Sequence, residues 1–251
     1  MNYASKVINI ALAEVGYLEK KSNKDLYDKT ANAGSNNYTK YGKEMHDLYP
    51  KVMDFPAAWC DAFVDWCFQK SYGVSNAKVL LGGNFDDYTP NSAQLYKTKK
   101  AWYTSPKVGD QIFFTNGTRI NHTGLVYKVD STKVYTIEGN TSGASGVIAN
   151  GGGVCKKSYS LSYYKIAGYG RPKYDEDPTT KKVSDAKMPT IRYGSKGNVV
   201  KVWQIIVGVT PDGDFGNITL NATKKFQKKY GLEVDGIVGE KSWKSGLESL
   251  A

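Results

Sequence analysis

Long apolar runs are missing from this sequence, and the residue types that build most metal sites are scarce. No stretch approaches the roughly 18 uninterrupted apolar residues of a membrane helix, which argues against a spanning segment. The chain has 2 histidines, His46 and His122, and 3 cysteines, with no CxxC pair. Because a structural zinc ion takes about four such ligands, a zinc site is not expected.

The first twenty residues lack a basic start followed by an apolar run, the pattern of a secretory leader. We therefore expect a protein that is made in the cytoplasm and reaches its place of action by another route. Of the 251 residues, 40% are hydrophobic and 23% are charged, which is typical of a folded globular protein and excludes a disordered or collagen-like chain.

Positive charge is in excess, with 34 Lys+Arg against 24 Asp+Glu and a net charge of +10. Most of the excess lies in residues 1–174, where 22 Lys+Arg stand against 14 Asp+Glu. A cationic surface attracts nucleic acid, anionic lipid or the teichoic acids of a bacterial wall, or it simply favours solubility. Since no known nucleic-acid-binding motif accompanies the charge, we expect no nucleic-acid partner. Because no long apolar run is present, we also expect no membrane insertion.

The order of hydrophobic patterns predicts an α+β domain over residues 1–174. Helical spacing of apolar residues covers 4–18 and, further along, Trp59 to Tyr72. The strand-like runs that follow lie at 111–114, 123–129 and 133–139. Helices first and strands second is the order of an α+β fold.

A second, smaller domain is predicted over residues 191–251. It is preceded at 175–190 by a charged segment with two prolines, which indicates a linker. The motif DGxxGxx[ST] occurs twice, starting at Asp212 and at Asp235, an offset of 23 residues. Each copy leads into a helical pattern, and together with the apolar run at 199–207 they predict three helices. The loops lack the ligand spacing of an EF-hand, so calcium is not expected there.

The cysteines point to one candidate nucleophile. Cys60 and Cys67 share a face of the second predicted helix, where seven residues rise about 10.5 Å. That exceeds the roughly 7 Å between Cα atoms that a disulfide allows, so any disulfide involves Cys155 and at least one thiol stays free. Cys60 opens the helix, where free N–H groups and the dipole favour a thiolate. The alternative is a cysteine that only fills the core.

A base and its partners are found near His122, which opens the strand HTGLVYKV. On the next predicted strand, Glu138 and Asn140 share a face because side chains alternate with period two. One of them can hold Nδ1–H of His122 and leave Nε2 to take the proton of Cys60, while the other orients the ring or stabilises an oxyanion. The alternative is a solvent-facing glutamate and a turn asparagine. His46 has no such partners and is expected at the surface.

Taken in order, the segments WCDAFVDWCF, PKVGDQIFF, INHTGLVYKV and YTIEGN resemble the cysteine, histidine-dependent amidohydrolase/peptidase (CHAP) family, within the papain-like NlpC-type group. The resemblance covers about residues 1–172. It implies a papain-like α+β catalytic domain in which Cys60 is the nucleophile, His122 the base, and Glu138 and Asn140 the supporting residues. 

The resemblance leaves calcium without support. Some members of the family carry an aspartate-rich calcium loop before the cysteine, whereas here Asp25 and Asp28 lack the expected spacing. We therefore predict no metal and no other cofactor.

The C-terminal segment is similar to the small three-helix peptidoglycan-binding module of wall hydrolases. Its candidate glycan contacts are Tyr193, Trp203 and Phe215, although helical spacing favours a core position for Trp203. The two resemblances together imply a peptidoglycan hydrolase of the phage endolysin type, either an N-acetylmuramoyl-L-alanine amidase or an endopeptidase of the stem or cross-bridge. Its partners would be Gram-positive peptidoglycan and, through the positive charge, teichoic acids. A wall-binding protein without catalytic activity is the alternative.

Overall fold

The chain forms two compact units in the computed structural model, the first comprising Met1–Asp175 and the second residues 176–251. The structure describes residues 1–175 and 188–248. Most of the linker predicted at 175–190 therefore lies outside the described residues.

The first unit contains helices followed by one sheet. The helices are α1 (Ala4–Ala13), α2 (Lys40–Leu48), α3 (Cys60–Leu80) and α4 (Thr89–Thr98). The strands are β1 (Trp102–Tyr103), β2 (Gln111–Thr115), β3 (Ile120–Val129), β4 (Lys133–Thr141), β5 (Gly153–Ser160) and β6 (Ile166–Gly170). They pair antiparallel in the order β1-β6-β2-β3-β4-β5. The predicted α+β class is confirmed.

Helix α3 packs on one face of this sheet. Phe63 lies in the same buried cluster as Leu125 of β3 and Ile137 of β4. Gly139 permits the close approach of β4, because a Cβ there would lie 2.6 Å from Cβ of Phe63 and 2.9 Å from the Trp59 ring. Side chains that alternate to the other face form a second buried cluster of Ile112, Phe114, Val126, Val134, Tyr159 and Tyr169.

Several boundaries differ from the sequence prediction. Helix α1 ends at Ala13 rather than at residue 18, since Gly16 adopts a left-handed conformation (φ +91°) and its N–H donates to the carbonyl of Val154. Helix α3 continues to Leu80 across a non-helical Gly73. The apolar patterns did not predict α2, α4 or β5, whose sequences are short and rich in polar residues.

The second unit contains α5 (Asn198–Ile206), α6 (Asn217–Lys229) and α7 (Glu240–Glu248), in agreement with the three predicted helices. The ring of Trp203 packs edge-on against Phe226 and Trp243, with centroids 5.2 Å away in each case. Within the two described ranges, no helix combines the length and apolar character needed to cross a membrane.

The repeated DGxxGxx[ST] motif has a structural basis in two buried glutamines, also 23 residues apart. Gln204 Nε2 donates to Asp212 Oδ1 at 2.7 Å and its Oε1 accepts from Gly213 N at 2.8 Å. Gln227 repeats this with Asp235 Oδ1 at 2.8 Å and Gly236 N at 2.9 Å. Each glutamine thus holds the loop that leads into the next helix. No part of the composition or periodicity had indicated this role.

Candidate active site

Cys60 is the first residue of α3 and lies almost entirely below the surface, with 5% of its area exposed. The residue before it, Trp59, is anchored by its indole Nε1, which donates to Glu19 Oε2 at 2.8 Å. Both Trp59 and Glu19 are buried, so this hydrogen bond fixes the position of the residue that precedes Cys60. Cys60, Cys67 and Cys155 are all free thiols, which answers the question of pairing.

His122 lies near the start of β3 and is fully buried. Its ring stacks on Phe114 of the neighbouring strand, with centroids 5.8 Å apart. Its Nε2 lies 2.9 Å from Oε2 of Glu138. The ring is therefore fixed in orientation by one aromatic contact and one hydrogen bond.

The pKa of His122 is raised from its ordinary value of 6.5 to about 10. Burial favours the neutral ring and opposes the shift, but the neighbouring Cys60 thiol, the hydrogen bond to the Glu138 carboxylate and the negative charge of both groups outweigh it. The imidazole is accordingly charged at neutral pH, with the Glu138 carboxylate bonded to Nε2 and the Cys60 thiol near enough to raise its pKa.

Glu138 is itself tightly held. Thr136 Oγ1 donates to its Oε1 at 2.5 Å and Tyr159 Oη to its Oε2 at 3.2 Å. Gly124 on β3 makes room for it, because a Cβ at that position would lie 2.5 Å from Glu138 Cγ. The carboxylate has little freedom to leave the imidazole.

The structure reverses the prediction about the two ring nitrogens. The sequence pattern predicts Nδ1 for the orienting residue and Nε2 for the thiol. In the structure Nε2 is bonded to Glu138, and Nδ1 has no hydrogen-bond partner among the described residues. Nδ1 is therefore the nitrogen left for Cys60. Which nitrogen faces which strand depends on ring rotation, which strand periodicity does not determine.

Asn140 does not join this arrangement through a hydrogen bond to His122 in the described part of the chain. It has a left-handed backbone (φ 54°) at a point where the β4–β5 register shifts, so the period-two rule that paired it with Glu138 does not hold there. Its Oδ1 accepts a long hydrogen bond of 3.4 Å from Gly152 N, and its buried Nδ2 has no hydrogen-bond partner in the described residues.

A buried polar bridge links the segments of Cys60 and His122. Asp61, Gln111 and Thr123 are each fully buried. Gln111 Nε2 donates to Asp61 Oδ1 and to Thr123 Oγ1, both at 3.1 Å. Thus one amide joins the residue after Cys60 to the residue after His122. The sequence analysis does not predict this bridge. The available signal was one polar residue within each of two apolar runs, Asp61 in CDAFVDW and Gln111 in QIFF.

Asp61 carries a perturbed carboxyl group. Burial raises its pKa from 3.8 to about 7, against the lowering effect of hydrogen bonds from Ser92 and Gln111, and nearby Asp86 adds to the rise. Ser92 Oγ donates to Asp61 Oδ2 at 2.6 Å.

Asp28, one of the two aspartates weighed as a calcium ligand, is engaged in its own loop. Asp28 Oδ1 accepts from the N–H groups of Thr30 and Ala31 at 2.8 and 2.7 Å, and these bonds lower its pKa. Among the residues that the structure describes, no cluster of three or more His, Cys, Asp or Glu side chains has the arrangement of a metal site. His46 is half-buried, with Nδ1 at 2.6 Å from the Met53 carbonyl.

In the second unit, two of the three candidate glycan contacts are core residues. Trp203 and Phe215 are fully buried, as helical spacing favoured for Trp203. Tyr193 is 59% exposed and remains available. A groove of about 720 Å³ also lies along α5 and α6, with Ile218 and Tyr230 in its wall.

Two parts of the chain match known families. Residues 51–140 match the CHAP domain, and residues 201–245 match a family described as a putative peptidoglycan binding domain. The chain therefore contains a CHAP domain followed by a peptidoglycan-binding domain. The pairing of these two domains is the basis of the function proposed below.

Solved structures show only distant similarity. The crystal structure of Ly7917 is 17% identical, with a TM-score of 0.38, and the match covers 67% of this chain and 62% of that one. A peptidoglycan-binding protein from Clostridioides difficile, solved with glutamine hydroxamate, is 27% identical with a TM-score of 0.24, over 45% of this chain and 70% of that one. The match thus spans less than two thirds of Ly7917.

Proposed function

We propose that this protein hydrolyses an amide bond of peptidoglycan with Cys60 as the nucleophile. The observation that carries the proposal is the orientation of His122, whose Nε2 is held by Glu138 while its Nδ1 is left for the thiol. A nucleophile, a base and a residue that orients the base are the three parts this chemistry requires.

In the reaction, the Cys60 thiolate attacks the carbonyl carbon of the amide and forms a tetrahedral intermediate. The N–H groups at the start of α3 are suited to stabilise its oxyanion, since the first turn of a helix has free donors. The C–N bond then breaks, and Nδ1–H of His122 gives its proton to the departing amine. Water, deprotonated by Nδ1, next attacks the thioester, which releases the carboxylic acid and regenerates the Cys60 thiolate beside the protonated His122. Glu138 stabilises the imidazolium during both steps.

We assign Gln111 a positioning role, since it touches neither thiol nor imidazole but bridges their neighbours Asp61 and Thr123. The proposal extends to Gram-positive walls as the place of action, supported by the excess of positive charge in residues 1–174. Two bonds fit the chemistry equally well, the N-acetylmuramoyl-L-alanine amide and a peptide bond of the stem or cross-bridge.

The test is loss of turbidity of purified Gram-positive walls, with mass spectrometry of the released fragments. Wild type is expected to clear the walls, and Cys60→Ser to lose at least about a thousandfold in rate while still binding them. Cys67→Ala, a change at the buried thiol of the same helix, is the matched control and should retain activity. New N-terminal alanine on free stems identifies an amidase, and a cut within the peptide identifies an endopeptidase. Equal clearance by Cys60→Ser would refute the mechanism, and wall binding by wild type without clearance would favour a non-catalytic binding protein.

A further inference from the structure

A cavity of about 750 Å³ lies in the first unit at the end of α3 opposite to Cys60. Val79 and Leu80, at the end of α3, line one side, and Tyr103 and Arg171 line another. Volumes of about 300–1,000 Å³ are typical of pockets that bind small ligands. None of the proposed catalytic residues lines the cavity, so it constitutes a separate candidate site.

The cavity is strongly cationic. Its charged lining residues are Lys99, Lys100, Lys107, Arg171 and Lys173, together with the carboxylate of Asp110. Arg171 forms an ion pair with the Asp110 carboxylate, since its Nε and Nη2 donate to the two oxygens at 2.9 and 2.8 Å. None of the four lysines forms a salt bridge with a carboxylate of the described residues, and all four are exposed. Their charge is therefore available to a ligand.

Exposed aromatic and apolar surface accompanies the charge. Tyr103 is 40% exposed, and the guanidinium of Arg171 lies 3.9 Å from the centre of its ring. Val79 and Val108 are 77% and 48% exposed. A ligand that combines anionic groups with carbon chains or sugar rings would satisfy both features, whereas inorganic phosphate would use only the charge.

We propose that this cavity binds a polyol-phosphate chain, the phosphodiester polymer of teichoic acids. The lysine ammonium groups would pair with successive phosphates, and the Tyr103 ring would pack against the polyol or its sugar substituents. This inference rests on the proposed function only in taking the Gram-positive wall as the place of action. The inference places the attraction between the cationic first unit and teichoic acids at this cavity.

The test measures binding of a glycerol-phosphate oligomer to the full chain by calorimetry. The variant Lys99→Gln/Lys107→Gln removes two charges of the cavity, and the matched control Lys128→Gln/Lys133→Gln removes two exposed charges from β3 and β4. We expect the cavity variant to bind at least about tenfold more weakly and the control to bind like wild type, with an affinity that falls as salt rises. Tyr103→Ala should also weaken binding to the oligomer.

Equal binding by the cavity variant and wild type would overturn the proposal. Duplex DNA and phosphatidylglycerol vesicles are the comparison ligands. If either binds as tightly as the oligomer and loses binding equally in Lys99→Gln/Lys107→Gln, the proposal is also overturned, because the surface is then a general polyanion site. Clearance of walls stripped of teichoic acid serves as the independent readout. The cavity variant should clear stripped walls at the wild-type rate, whereas Cys60→Ser should not, so the two proposals can fail separately.

Discussion

Nε2 of His122 lies 2.9 Å from Oε2 of Glu138, with both side chains fully buried. A buried imidazole would ordinarily lose its proton more easily, yet the carboxylate and the Cys60 thiol together raise its pKa to about 10. The pair thus keeps a proton inside the protein at the place where a departing amine requires one. This relationship carries the proposed mechanism and the first prediction.

Glu138→Gln is expected to lower the pKa of His122, since the variant removes one of the groups that raise it. The chain has 2 histidines, so the ring signals in NMR spectra can be assigned with a single His46→Asn variant. In wild type the His122 ring should stay protonated through pH 8 and titrate near 10. A wild-type ring that titrates near 6.5 would contradict the proposed pair.

The same shift predicts how stability depends on pH. Because the folded pKa of His122 is raised, its contribution to the free energy of unfolding is complete below about 6.5 and is lost as pH rises towards 10. In Glu138→Gln this contribution should be smaller at neutral pH. Chemical denaturation of both proteins at pH 6 and pH 10, values chosen to bracket the window, measures the difference.

Gln111→Met should lower the rate of hydrolysis with little change in KM, because it removes both hydrogen bonds of the bridge without touching the substrate. A misplacement of about 1 Å between reacting groups costs up to about 100-fold. Alkylation of Cys60 by iodoacetamide across pH should slow in parallel, a result that general destabilisation alone would not produce. Gln94→Met, on the exposed face of α4, is the control. Asp61→Asn keeps an oxygen for Gln111 and should retain most of the activity.

Asp61→Asn is also expected to change the pH dependence of stability. The folded pKa of Asp61 is raised to about 7, chiefly by burial, so wild type loses stability as pH rises between about 4 and 7. The variant cannot ionise there and should be more stable relative to wild type at pH 8 than at pH 4. Asp130, whose pKa is lowered by hydrogen bonds from Thr132 and other groups, provides a control that is already ionised over this pH range. Asp130→Asn should change little relative to wild type between pH 4 and pH 8, because the stabilisation by Asp130 is lost only as pH falls below its ordinary pKa of 3.8. A gain in stability equal to that of Asp61→Asn over this range would count against both assignments.

Gln204→Met and Gln227→Met should each destabilise the second unit and weaken wall binding. Either change leaves a buried loop N–H without an acceptor, at a cost of about 1–3 kcal/mol. The repeat predicts similar effects at the two positions. Thermal unfolding and wall sedimentation measure them, and hydrolysis of a soluble peptidoglycan fragment by the first unit should be unaffected. An effect at one glutamine alone would show that the two loops are not equivalent.

The sequence was sufficient to predict Cys60 at a helix start, His122 on a strand, and Glu138 on the strand beside it. Each depends on periodicity within a short segment, which is a local property. Polar segments such as α2 were not predicted, because Tyr41 and Met45 become buried only through packing against α3.

Only the tertiary structure decided which nitrogen of His122 faces Glu138, how Asn140 leaves the alternation of β4, and that Gln111 bridges two segments far apart in the chain. These features depend on the register between strands, on the shift between Glu138 and Thr141, and on the packing of α3 against the sheet. Such relationships join residues far apart in sequence, and hydrophobic pattern within one segment carries no information about them. The sequence was therefore sufficient to predict the residues of the candidate site, whereas their mutual orientation arises from the packing of the helices and strands.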